Sequence, residues 1–137
     1  VYGKLNESDL SALQLEAQRH PQRLKFLIMQ ASKLPSFPLE QRIPENEIQG
    51  CEAKVWLVQQ RQNDHLELQL DSASRVVKGL LALIFFALHQ ATVTQVENFD
   101  LDALLKALGL QDLVSVSRRN GLRAVVSAIQ NESTQNR

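Results

Sequence analysis

The sequence predicts an α+β fold in which a small antiparallel three-stranded sheet packs against N- and C-terminal helices. Three observations lead there. Apolar residues recur at helical spacing near both ends of the chain, a central segment alternates with period two, and an unbroken apolar run, Leu80–Leu88, reads as a core helix. At 137 residues the chain fits one domain, taken as residues 1–137 with a frayed polar tail over 131–137. A hydrophobic content of 44% with 22% charged residues is that of a globular chain with a real core.

In chain order, Leu10, Leu13 and Ala17 stripe a first short helix over Glu7–Ala17, with Asn6 or Ser8 as its cap. Pro21 fits the first position of a second helix, whose face is Leu24, Phe26, Leu27, Ile28 and Ala31. Pro35, Pro38 and Pro44 push their predecessors out of helical backbone, so 34–45 reads as an extended connector with Leu34, Phe37 and Leu39 turned to the core. Val55–Val58 and His65–Leu70 then read as two strands of a hairpin across a polar turn at 61–64, with Leu66, Leu68 and Leu70 on one face. A third short strand is expected at Asn46–Gln49. Asp71-Ser72 caps the long helix that ends near Leu88. Thr92 and Gln95 form a capping-box pair for a short helix over Val93–Phe99. Asp100 or Asp102 opens the next helix, and Gly109 stands where it should stop. Ser115 or Ser117 caps the last one, striped by Leu122, Val125, Val126 and Ile129.

Composition narrows the function classes. Fifteen basic residues balance fifteen acidic ones, evenly along the chain, which argues against nucleic-acid binding. The apolar run is far short of the about 20 residues a bilayer-spanning helix needs. One cysteine excludes an internal disulfide, a paired-thiol redox motif and a self-sufficient iron–sulfur or zinc-thiolate site. His20, His65 and His89 show no ligand spacing, so no metal site is expected. A lone thiol suits a reducing cytosol, and residues 1–20 do not resemble a secretory leader, so a cytoplasmic location is expected.

The stretch that stands out is Pro44–Trp56, which holds the chain's single cysteine and single tryptophan. Cys51 follows Gly50, a sign that the backbone bends there or is closely approached. Its neighbours Gln49, Glu52 and Lys54 are polar; Glu52 would raise the thiol pKa and Lys54 would oppose it. Two readings stand side by side: a small buried hydrophobe, or a functional thiol on a loop. Trp56 reads as core or as a shield for the thiol. Asn46 is placed to brace the loop through backbone hydrogen bonds. Arg118 and Arg119 stand in the first turn of a helix, against the macrodipole. Arg118 is read either as tying a loop through carbonyls or Asp112, or as holding the Cys51 loop or an acidic partner group; Arg119 is read as solvated.

Here the residues carry a resemblance. Arg42-Ile43-Pro44-Glu45-Asn46-Glu47-Ile48-Gln49-Gly50-Cys51, with Val55-Trp56, resembles the active segment of the SufE family of sulfur acceptors. Asp71-Ser72 with Val76-Val77-Lys78-Gly79-Leu80, and Ser117-Arg118-Arg119-Asn120-Gly121-Leu122, resemble two further motifs of that family in the same order. Leu34-Pro35 fits as well, and the resemblance spans about residues 5–130. Departures are Glu52-Ala53 after the cysteine, Ala73 after Asp-Ser, Val116 before Ser-Arg, and Thr92-Val93 where Thr-Pro is common. None replaces the nucleophile.

The resemblance implies the family's fold, similar in outline to that of iron–sulfur scaffold proteins. It implies a persulfide carrier rather than an enzyme: Cys51 takes sulfur from a pyridoxal-phosphate cysteine desulfurase, stimulates it, and passes the sulfur toward an iron–sulfur scaffold. The chain would have no cofactor of its own and would be a monomer or weak homodimer, without nucleic-acid or membrane partners. Cys51 is the implied reactive residue. Asn46, Gly50, Trp56 and Arg118 would support the loop or the thiol, and Arg42, Glu52, Asp71 and Lys78 would meet the partner. A paralogous acceptor feeding tRNA modification is the alternative of the same class. A cluster scaffold is disfavoured by ligand count, and a thiol hydrolase would need a histidine base beside Cys51.

Overall fold

The apolar run Leu80–Leu88 places one helix at the centre of the core, buried on most sides. In the computed structural model, which describes residues 1–135 and side chains through Asn131, the order is as follows. Helices α1 (Glu7–Arg19) and α2 (Arg23–Lys33) come first, then two 3-10 turns at Leu39–Gln41 and Pro44–Asn46, and an antiparallel hairpin of β1 (Val55–Gln62) and β2 (His65–Ser72). Then come α3 (Arg75–Leu88), α4 (Val93–Glu97), α5 (Leu101–Ala107) and α6 (Val116–Gln135). This is the expected α+β architecture. The last helix runs to Gln135, into the stretch expected to fray, and Asn136 and Arg137 lie outside the described residues.

Helix α3 buries residues around most of its circumference, including Leu81, Ala82 and Ile84 with no exposed surface. It meets α2 backbone to backbone at Gly79, where an added Cβ would lie 2.2 Å from the Leu27 carbonyl oxygen. The buried stripe of α2 is Phe26, Leu27 and Gln30, continued by Leu34 just beyond its end. Leu24 and Ile28, expected on that face, are 47% and 42% exposed. They sit one helical step to the side of a stripe centred on 26, 27, 30 and 34. Gln30 is buried because its amide donates to Glu16 Oε1 at 2.9 Å, tying α2 to α1.

The hairpin turns on Asn63 and Asp64, both with positive φ (54° and 65°), the two-residue turn whose twist matches the strands. Leu66, Leu68 and Leu70 share the buried face, as the alternation predicts, and Leu57 stands opposite Leu70 in register. The sheet has two strands among the described residues, not three. Of the expected strand at 46–49, what forms is a single bridge between Glu47 and Trp56, with Ile48 N–H donating to the Val55 carbonyl at 2.9 Å. Pro44 commits residues 44–46 to a 3-10 turn, and Gly50 at φ 92° then carries the chain away, which leaves no length for a ladder. The connector is accordingly less extended than expected, and Leu39, on the first 3-10 turn, is 72% exposed while Leu34 and Phe37 are buried.

Local capping signals mostly hold. Asn6 forms a capping box with Asp9, Thr92 forms one with Gln95, Asp100 caps α5, and Ser115 Oγ accepts from Arg118 N–H at the start of α6. Two expectations shift. Pro21 precedes the cap of α2, Gln22, rather than opening the helix. Helix α3 is capped by Ser74, and Asp71-Ser72 belongs to β2, because pairing with Val55 and Trp56 extends the strand past them. Helix α4 stops at Glu97, two residues early, and Phe99 turns into the core.

The contact at Gly79 supports a stability prediction. Gly79→Ala places a methyl group against the α2 backbone, so urea unfolding should show a loss of about 1–3 kcal/mol, the usual cost of overpacking. An unchanged midpoint would mean that α2 and α3 are free to separate there.

Candidate functional site

Cys51 sits on the loop between the second 3-10 turn and β1, and two glycines explain its position in different ways. Gly50 has φ 92°, and a Cβ there would meet nothing within 4 Å, so glycine is required by the backbone conformation and not by crowding. The close approach lies across the loop, on α6. A Cβ added at Gly121 would be 3.2 Å from Cys51 Cα and 3.3 Å from its Sγ. The missing side chain lets the loop lie directly on the helix, where Cys51 Sγ–H points to the Gly121 carbonyl oxygen at 3.4 Å, a weak bond.

The thiol is half-buried in an apolar cleft walled by Val55 of β1, Val77 and Leu80 of α3, and Leu122 of α6. About 20 Å³ is free there, close to the space of one water molecule. Burial pushes the Cys51 thiol pKa up from its ordinary value, because a thiolate would lose hydration without gaining a paired charge. Glu52 and Arg118 line the same cleft, and among the described residues Arg118 has no ion-pair partner. The carbonyl-binding arginine is its neighbour: Arg119, expected in solvent, donates to the carbonyls of Gln111 (2.5 Å) and Val114 (3.4 Å). No histidine is among the described residues lining the cleft. His89 is occupied elsewhere, with Nδ1 accepting the Leu68 N–H at 3.1 Å and its ring stacked on Phe85, and burial lowers its pKa.

The remaining candidates gather on the other face of β1. Trp56 is buried, but alternation along the strand turns it away from the cleft that Val55 lines, so it does not cover the thiol. Arg42 lies over its ring at 5.0 Å and donates through Nε to Asp71 Oδ2 at 2.8 Å. Lys78 Nζ stands 3.5 Å from Asp71 Oδ1. Arg42, Asp71 and Lys78, read from sequence as partner contacts, thus engage one another. Asn46 donates its amide to the Gln41 carbonyl (2.9 Å) and Gln41 Oε1 (3.0 Å), so it links the two 3-10 turns to each other and not to the cysteine. Sequence reasoning missed Gly121 as part of the site. An isolated glycine just ahead of a helical stripe was the available signal.

The raised thiol pKa has a defined consequence. At a given pH the folded protein carries less thiolate than the unfolded chain, so alkylation by iodoacetamide should be slower and its midpoint should lie at higher pH. Gly121→Ala should lift Cys51 from the helix and speed alkylation at neutral pH by about two- to tenfold, with no difference between the two proteins in urea. Equal rates in the folded proteins would show that the loop does not rest on α6.

Comparison with known proteins agrees with this construction. A hypothetical protein from Thermus thermophilus, solved in solution, superposes with a TM-score of 0.73 over 91% of this chain and 92% of that one, at 19% sequence identity. A likeness of that kind is one of fold. The family model SufE, described as an Fe-S metabolism associated domain, matches residues 9–133, which include the Cys51 loop and the helices that form its cleft. The chain therefore belongs to the SufE family of domains associated with Fe–S metabolism.

Proposed function

We propose that this protein accepts sulfur on Cys51 as a persulfide from a pyridoxal-phosphate cysteine desulfurase and delivers it to an iron–sulfur assembly scaffold in the cytoplasm. One observation supports this most directly: the single thiol lies on a glycine-hinged loop, half-buried beside an apolar space the size of about one water molecule. The Cys51 thiolate attacks the terminal sulfur of the donor's persulfide. The donor's S–S bond breaks, its cysteine leaves as a thiolate, and Cys51 carries the added sulfur. One thiol suffices because the step follows the rules of thiol–disulfide exchange and uses no resolving cysteine. Removing the product from the donor frees it for another turnover, which is how an acceptor stimulates a desulfurase.

The same geometry fits a carrier's need for protection. A persulfide is lost to reductants and oxidants, and the apolar side chains of Val55, Val77, Leu80 and Leu122 would limit the access of both to a sulfur carried on Cys51. For transfer the loop swings out on Gly50 toward the partner, where the thiol is rehydrated and ionises. The acceptor supplies no cofactor; pyridoxal phosphate belongs to the donor. Glu52 and Arg118, which line the cleft, would meet the donor's surface.

Incubation with a cysteine desulfurase, pyridoxal phosphate and cysteine should add one or more sulfur masses to the intact protein, and Cys51→Ser should add none. Absence of any adduct while the desulfurase itself is persulfurated would refute the proposal. Hydrogen exchange over residues 48–54 should be faster than in β1 and β2 and should change when the desulfurase is added; a loop as protected as the strands in both states rules out the swing.

A further inference from the structure

We propose that Asp71 is the positioning residue of the Cys51 loop. Its buried carboxylate holds the entering root of the loop while Ser72 and Ala73 beside it hold the leaving root, and this grip sets how often the thiol leaves its cleft. The proposal rests on Cys51 being the working residue of the site.

Asp71 has a side chain only 3% exposed at the end of β2, directly opposite Trp56 in register. Arg42, which precedes the loop, crosses this pair. Its guanidinium lies over the Trp56 ring, and its Nε and Nη2 nitrogens both reach Asp71 Oδ2, at 2.8 and 2.5 Å. That fixes the entering root in position and direction, since a planar cation held by a ring and a carboxylate cannot pivot. The leaving root is Lys54. Its carbonyl accepts from Ser72 Oγ at 2.8 Å and from Ala73 N–H at 3.3 Å. Ser72 Oγ in turn accepts from Ser74 N–H at 3.2 Å, which joins this root to the cap of α3.

Three consecutive residues therefore grip the chain before and after Cys51. Inside the grip, the second 3-10 turn and the Glu47–Trp56 bridge, with Ile48 bonded to Val55, hold the chain up to residue 48; beyond it, among the described residues, the thiol keeps the long Sγ contact with Gly121. A loop with firm roots and a lightly held tip opens as a hinged unit, and loosening a root lets the tip open more often. Arg42 is the weaker side of the grip, because its side chain is 35% exposed while that of Asp71 is 3%. A docking protein that engages the guanidinium would release the entering root without disturbing β2.

Iodoacetamide alkylation of the folded protein at fixed pH, read by intact mass, tests this without any desulfurase, so its outcome is separate from that of the persulfide assay. Arg42→Gln and Asp71→Asn should each speed alkylation by about three- to tenfold. The double variant should be no faster than the faster single one, because both break the same interaction. Arg42→Lys, which keeps the charge without the fork, should fall between parent and Arg42→Gln. Lys33→Gln, which removes the remote pair with Glu16, should stay within about twofold of the parent. Hydrogen exchange should quicken over residues 43–54 and not over 66–70. Arg42→Gln leaves Asp71 with Lys78 as its cation at 3.5 Å, and the double variant removes the carboxylate's charge as well; urea unfolding of each variant separates loss of the fold from opening of the loop. Parent-like alkylation in Arg42→Gln, additive effects in the double variant, or equal acceleration over 66–70 would overturn the proposal.

Discussion

The approach of Cys51 to the backbone of α6 at Gly121 is the constraint on which the site depends. With a Cβ at 121 the thiol would be displaced by tenths of an ångström, and the apolar cleft between the hairpin, α3 and α6 would no longer close around it. Everything else in the region serves that contact. Gly50 supplies the backbone turn, α3 supplies Val77 and Leu80, and α6 supplies both the glycine and Leu122. The raised thiol pKa follows from the same packing, since burial without a paired cation disfavours the anion.

Charge and apolar contact divide the work between the two faces of β1. On one face Val55 meets the thiol in a cleft with little polar character. On the other, Trp56 carries Arg42, and a buried aspartate holds Arg42 and Lys78. A carboxylate removed from water needs such partners, and one cation alone would leave it weakly compensated. Strand alternation is what keeps the two environments apart, one residue from the next.

How much of this was legible in the sequence differs from element to element. The hairpin, the central helix and the stripe of α6 followed from periodicity, because burying one face of a strand or helix leaves a pattern in the chain. The caps at Asn6, Thr92 and Asp100 were legible because a side chain and a backbone amide three residues on meet within one turn. Asp71-Ser72 misled, since the same residue types that cap helices also end strands, and only pairing with Trp56 and Val55 decided between them. The third strand misled for a related reason: a plausible run of residues cannot form a ladder once a 3-10 turn and a glycine bend consume its ends.

By itself the sequence determined the α+β class, the single thiol and its glycine hinge, and the exclusion of disulfide and self-contained cluster chemistry, all of which are properties of composition and local spacing. The tertiary structure decided what surrounds that thiol. Gly121 lies 70 residues from Cys51 along the chain, and Asp71 lies 29 from Arg42. Contacts at such separations depend on how α3, α6 and the hairpin pack, and packing is a property of the assembled core rather than of any one segment. For the same reason Arg119, read from the sequence as solvated, binds the carbonyls of Gln111 and Val114, while Arg118 lines the cleft.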